Sequence, residues 1–143
     1  MARVNGKTYS LFGVPNPGPG VQPASVISGS FTATRSTFVV TAGDASIVLE
    51  FMSPVSPKDY VRQSYPFSYL TVSVSGFNGV RPSVQIYSDI DNSFVAQFGP
   101  NVATSWTWDQ TAAETYLFTL HADGSTMYAE DKDMATWLSL IHI

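Results

Sequence analysis

The sequence predicts an all-β fold, an antiparallel β-sandwich, on three observations. Charged residues make up only 13% of the chain, about half the ~25% of an ordinary globular domain, and Ser and Thr fill the gap. Short runs alternate strictly between apolar and polar residues, which suits strands with one covered and one hydroxyl-bearing face. No stretch carries a convincing apolar stripe at helical spacing. The chain has 143 residues, which is enough for one domain with a real core.

Each element follows in order. Val4-Asn5-Gly6-Lys7 reads as a tight turn, because Asn-Gly is the strongest short hairpin signal. Thr8 to Phe12 is the strand after it. Gly13 to Pro23 carries four prolines and two further glycines, Gly18 and Gly20. It reads as a loop with polyproline-like pieces. Its GxG is no phosphate cradle, since proline removes the donors a phosphate needs and no helix pattern follows. Val26 to Thr34 is strand-like but interrupted at Gly29. Thr37 to Thr41, a turn at Ala42-Gly43-Asp44, and a strand ending at Phe51-Met52 form a hairpin. Its second strand turns Ile47, Leu49 and Phe51 to the core and Glu50 to the other face.

Pro54, Pro57 and Pro66 mark the next segment. Proline fixes φ and lacks a donor, so this segment joins neither a sheet interior nor a helix interior. Tyr60, Tyr65, Phe67 and Tyr69 crowd into it, and it is expected to press onto the sheets as an ordered crossover, its aromatics buried. The next strand runs from Ser68 or Tyr69 to Ser75. Leu70, Val72 and Val74 point one way, and Tyr69, Thr71, Ser73 and Ser75 the other. Gly76-Phe77-Asn78-Gly79 is a turn, and Ser83 to Ile90 is expected to return as the second strand of that hairpin. Phe94 to Phe98 is a further candidate strand. Ser105–Asp109 carries Trp106 and Trp108 in phase, and Thr115–Ala122 carries Tyr116, Phe118 and Leu120 in phase. Asp123-Gly124 turns the chain, and Glu130-Asp131-Lys132-Asp133 is a charged turn before Met134–Trp137.

Several functions are excluded or disfavoured by composition. Net charge is −4 and the sequence pI about 4.8. The seven Lys and Arg are scattered, so no basic patch exists to bind nucleic acid. The same sign disfavours an anionic membrane. No apolar run reaches the ~20 residues of a spanning helix, and Met1-Ala2-Arg3 leads into Asn5-Gly6, not into a leader's apolar region. There is no cysteine, which removes disulfides, thiol catalysis and Cys-ligated metals.

Chemistry-bearing residues are few. His121 lies opposite in phase to Leu120. As a general base it would need a nucleophile and an orienting carboxylate, and no such motif is present. It therefore reads as a surface or edge histidine, and His142 lies in the terminal hexapeptide. Asp89, Asp91 and Asn92 could begin a calcium loop, but the glycine and distal Glu of an EF-hand are missing, so a strand end capped by Asp and Asn is the preferred reading. Glu130, Asp131 and Asp133 read as a solvated turn. Trp106, Trp108 and Tyr87 could stack on a sugar, although filling a sandwich core is the ordinary use of such rings. No catalytic, cofactor-binding or metal-binding residue is assigned, and no cofactor is expected.

The run Phe51–Val74, with Ser-Pro-Val-Ser-Pro, Arg62-Gln63-Ser64 and Pro66-Phe67-Ser68-Tyr69-Leu70, resembles the N-terminal domain of fungal glutaminase A-type proteins. Weaker matching pieces surround it: Arg3–Tyr9, Thr34–Phe38, Val84–Ile90 and Glu130–Trp137. The resemblance implies a β-sandwich that accompanies a larger α-helical catalytic domain in a secreted enzyme, one that hydrolyses L-glutamine to L-glutamate and ammonia. That helical domain, absent from this chain, would be the partner. Arg62 would hydrogen-bond carbonyls of the crossover. Residues 1–137 are expected to be the sandwich, incomplete at both ends. Residues 138–143, LSLIHI, depart from the family pattern and are read as a non-native tail. A stand-alone binding module for carbohydrate, using Trp106 and Trp108, is the alternative.

Overall fold

A computed structural model of the chain describes residues 1–13, 18–65, 67–76, 79, 81–89, 104–122, 130–131, 134–135 and 139–142. It is an all-β structure, a sandwich of antiparallel and mixed sheets. The chain divides into two compact units, Met1–Ser88 and Asp89–Ile143.

In the first unit, β1 (Ala2–Val4) and β2 (Lys7–Ser10) make the hairpin that Asn-Gly predicts. Asn5 and Gly6 take φ values of 48° and 84°, the two positive angles of a type I′ turn, which glycine and asparagine tolerate best. β3 (Val21–Pro23) then pairs parallel to β2, so the end of the proline-rich loop is a strand. Its proline can sit there because β3 is at the sheet's edge, where a missing donor costs no ladder bond.

β4 (Ser25–Phe31), β5 (Arg35–Ala42) and β6 (Ala45–Met52) form an antiparallel meander continued by β7 (Tyr69–Gly76). The β5–β6 turn is Gly43-Asp44, with Gly43 at φ 57°. A Cβ on Gly43 would lie 2.9 Å from the Tyr9 hydroxyl, so both backbone angle and close packing require glycine here.

β8 (Val84–Ile86) corrects the expected second hairpin. It pairs antiparallel with β1, Val4 opposite Val84 and Ala2 opposite Ile86, and not with β7. The cause lies on Asn5. Its backbone N–H donates to the Ser83 carbonyl at 3.0 Å, and its side-chain Oδ1 accepts from the Ser83 N–H at 3.0 Å. Arg81-Pro82 lengthens the connection beyond a tight turn, and the strand is captured by the β1 edge. The Phe94–Phe98 strand and the residue 77–78 part of the expected turn lie outside the described residues.

The two four-stranded sheets, β3-β2-β1-β8 and β4-β5-β6-β7, meet in one core. Ala2, Val4, Tyr9 and Leu11 come from the first layer, and Val40, Ala42, Ala45, Ile47 and Leu49 from the second. Val72, Val84 and Ala24 pack against it half-buried. Alternation thus names the inward face correctly for β6. For β7 it overstates the cover: Leu70 and Val74 stay more than 40% exposed. The covering strands are three or four residues long against seven or eight, so they bury one end of the longer sheet. A second link joins the layers at that end, where Asn5 Nδ2 donates to Asp44 Oδ2 at 3.0 Å.

In the second unit, β9 (Thr104–Ala112) and β10 (Thr115–Ala122) form a hairpin with a register shift between Thr115 and Tyr116. Two further short strands, β11 (Glu130–Asp131) and β12 (Met134–Ala135), pair with each other. The last, β13 (Ser139–His142), pairs with β10.

Candidate functional site

The crossover between β6 and β7 holds the one helical element among the described residues, a single turn α1 (Tyr60–Gln63). The sequence reading has no helix there. Asp59 makes it possible. Its Oδ1 accepts from the Arg62 N–H at 3.0 Å, an N-cap that satisfies an orphan donor. The Gln63 side chain accepts from the Ser56 N–H at 2.6 Å and so ties the turn back to the proline run. Ser64 Oγ donates to the Val61 carbonyl at 2.8 Å. The prolines are therefore compatible with a helix, because Pro57 stands before the cap and not inside the turn.

Arg62 does not play the part expected of it. Its Nε lies 3.4 Å from Asp59 Oδ2, and both side chains are largely exposed. The loop is instead held by Asp59, Gln63 and Ser64. Neither Asp59 nor Gln63 stands out in the sequence, where the prolines argue against a helix. The crossover aromatics are a second correction. Tyr60 is 83% exposed, and Tyr65, Phe67 and Tyr69 are about half-exposed. Tyr65 and Phe67 pack on each other, ring centres 5.7 Å apart, and not into the core. The segment is ordered by its own hydrogen bonds. With β7 at the sheet's edge, no second layer reaches these rings among the described residues.

On the outward face of β5 and β6, Arg35 Nη1 stands 3.4 Å from Glu50 Oε2 and Arg35 Nη2 3.4 Å from Met52 Sδ. Around this pair the face is mostly hydroxyls: Thr37, Thr41, Ser46, Thr71, Ser73 and Ser75 by register. A shallow apolar groove of about 360 Å³ lies on the other sheet, lined by Met1, Arg3, Thr8, Gln85, Ile86 and Tyr87. Among the described residues its lining carries no carboxylate and no histidine.

In the second unit Trp106 and Trp108 share one face of β9. The ladder sets Leu120 opposite Trp106, Phe118 opposite Trp108 and Tyr116 opposite Gln110, so all five apolar residues lie on that face. Trp106 is 66% and Trp108 54% exposed. Trp108 and Tyr116 rings are 6.0 Å apart and tilted by 50°. On the opposite face His121 stands across from Ser105. His142 stands opposite Leu117 in the ladder.

Asp89 is exposed at the start of the second unit, while Asp91 and Asn92 lie outside the described residues. So do Lys132 and Asp133, between β11 and β12. Among the described residues no group of three or more His, Cys, Asp or Glu side chains could hold a metal ion. Nor, among them, is any helix long and apolar enough to cross a membrane.

Comparison with known proteins gives these residues a context. Residues 34–142 match the model of a domain of unknown function, DUF5127. The chain is 31% identical over 137 residues to glutaminase A of Aspergillus oryzae, an alignment covering 94% of this chain and 19% of that protein. It is 27% identical over 158 residues to a protein named "Probable glutaminase" from Arthroderma benhamiae, covering 96% of this chain and 18% of the relative. The chain thus spans about a fifth of the length of these curated relatives. No solved structure matches it.

Proposed function

The chain belongs to the DUF5127 family, and from that membership we propose that it is a non-catalytic N-terminal domain portion of a glutaminase A-type protein. The parent reaction is hydrolysis of L-glutamine to L-glutamate and ammonia. The domain braces an α-helical catalytic domain of the same polypeptide and helps wall its cleft. On the same reading the parent protein is secreted. The observation that carries the proposal is the pair of coverages, nearly all of this chain against about a fifth of each glutaminase relative. The uncovered apolar end of the first unit supports a bracing role. Phe51, Leu70, Tyr65 and Phe67 are each 41–52% exposed, and such a surface suits contact with another domain.

The test is ammonia and glutamate release from L-glutamine, measured for this chain alone and for the full-length gene product. Only the full-length product is expected to turn over. Catalytic turnover by this chain alone would overturn the reading. A full-length product with no glutaminase activity would overturn the parent assignment.

A second reading rests on one observation, the exposure of Trp106 and Trp108 on a shared face. Aromatic faces stack on the apolar faces of pyranose rings, which supports a carbohydrate-binding module. Tryptophan fluorescence titrated with oligosaccharides to millimolar concentration decides it, since a flat titration removes this reading.

A further inference from the structure

Asn5 does more than turn a hairpin. It makes three hydrogen bonds, two to Ser83 and one across the layers to Asp44. It is also followed by glycine. We propose that Asn5-Gly6 is a deamidation site whose product unlatches the two sheets of the first unit. The proposal is independent of the glutaminase reading.

The chemistry needs only water. The backbone nitrogen of Gly6 attacks Asn5 Cγ. A Cγ–N bond forms, the Cγ–Nδ2 bond breaks, and Nδ2 leaves as ammonia with the proton that Gly6 gives up. Water then opens the cyclic imide at either carbonyl, giving aspartate or isoaspartate. No electrons are transferred. Glycine is the residue that obstructs this attack least, because it has no Cβ, and nothing lies within 4 Å of where one would stand on Gly6. Both residues are exposed, so water reaches the imide.

The consequence is specific to this fold. Asn5 Nδ2 is the donor to Asp44 Oδ2 at 3.0 Å. In the product a carboxylate oxygen replaces that nitrogen, so a donor–acceptor contact becomes two anions with no hydrogen between them. The other oxygen still accepts from the Ser83 N–H, so β8 keeps its anchor while the inter-sheet link is lost. Isoaspartate also inserts a methylene into the backbone between β1 and β2 and disrupts their Val4–Lys7 register. In the folded chain the two side-chain hydrogen bonds, to Asp44 and Ser83, hold the carboxamide away from attack, so the reaction runs faster from the unfolded chain.

The test ages the full chain in mildly alkaline buffer, with and without denaturing urea. Trypsin cleaves after Arg3 and Lys7, so the site is read on the Val4–Lys7 peptide. A one-dalton gain there, accumulating over days and faster in urea, is expected. In parallel, Asn5→Asp should lower Tm by several degrees. Adding Asp44→Asn should restore most of that loss, because the new carboxylate then accepts from an amide at position 44. This double variant keeps the test decisive if the single one does not fold. Absence of the mass gain, an unchanged Tm in Asn5→Asp, or no recovery in the double variant would each overturn the proposal. Deamidation here releases at most one ammonia per chain and no glutamate, so it is distinct from glutamine turnover.

Discussion

The hairpin of β5 and β6 has two ends that look alike in sequence and behave differently in the fold. At the Gly43-Asp44 end, Val40, Ala42, Ala45 and Ile47 are fully buried. At the other end Phe51, on the same face, is 41% exposed, and its neighbour Leu70 on β7 is 44% exposed. Phe38 marks the boundary, with rings of Phe12 and Phe51 4.8 and 6.3 Å away. The alternation is the same throughout. What differs is the reach of the short layer that packs across it. A period of two tells which face turns inward and says nothing about how far the opposite layer extends.

The sharpest way to break this comparison is to truncate one residue at each end. Ile47→Ala should destabilise the chain by about 2–5 kcal/mol, because it leaves a cavity at a fully buried site. A urea titration measures it, and a loss below about 1 kcal/mol would mean that the core is not there. Phe51→Thr should cost less than about 1 kcal/mol. It should also reduce self-association, since it shortens an exposed apolar patch beside the uncharged edge strand β7. Analytical ultracentrifugation checks this, and equal losses at positions 47 and 51 would erase the distinction between the two ends. The smallest effect belongs to the outward face. Arg35→Ala removes a half-exposed ion pair with Glu50, and such pairs contribute about 0–1 kcal/mol. A loss that vanishes in high salt would identify the pair as its source, while a salt-independent loss would point to the Met52 contact.

Much of this fold was legible because local chemistry decided it. Asn5-Gly6 wrote the first turn, Gly43-Asp44 the second, and Ile47-Leu49 the buried face. The all-β class followed from the same signals. The misreadings share a cause, which is information held elsewhere in the chain. The partner of β8 depends on Asn5, far from Ser83 in sequence. The exposure of Tyr60 and Tyr65 depends on a layer too short to reach them. Aromatic content alone reads as buried, since large rings usually are. α1 was hidden because three prolines argue against helix, and one well-placed cap outweighs them for a single turn. For the candidate sites, the phase of Trp106 and Trp108 was readable from β-alternation, and their exposure was not.

The pairing of β8 with β1 also sets an order of events during synthesis. β4 to β7 are neighbours in sequence and can pair as they leave the ribosome. β1 must wait for β8, some 78 residues later, as Asn5 must for Ser83. At ~5–20 residues per second that interval is roughly 4–16 seconds. In its later part, once Val40 and Ile47 have been made, the inward face of the longer sheet stands without its full cover. That window closes when Ser83 emerges and finds Asn5.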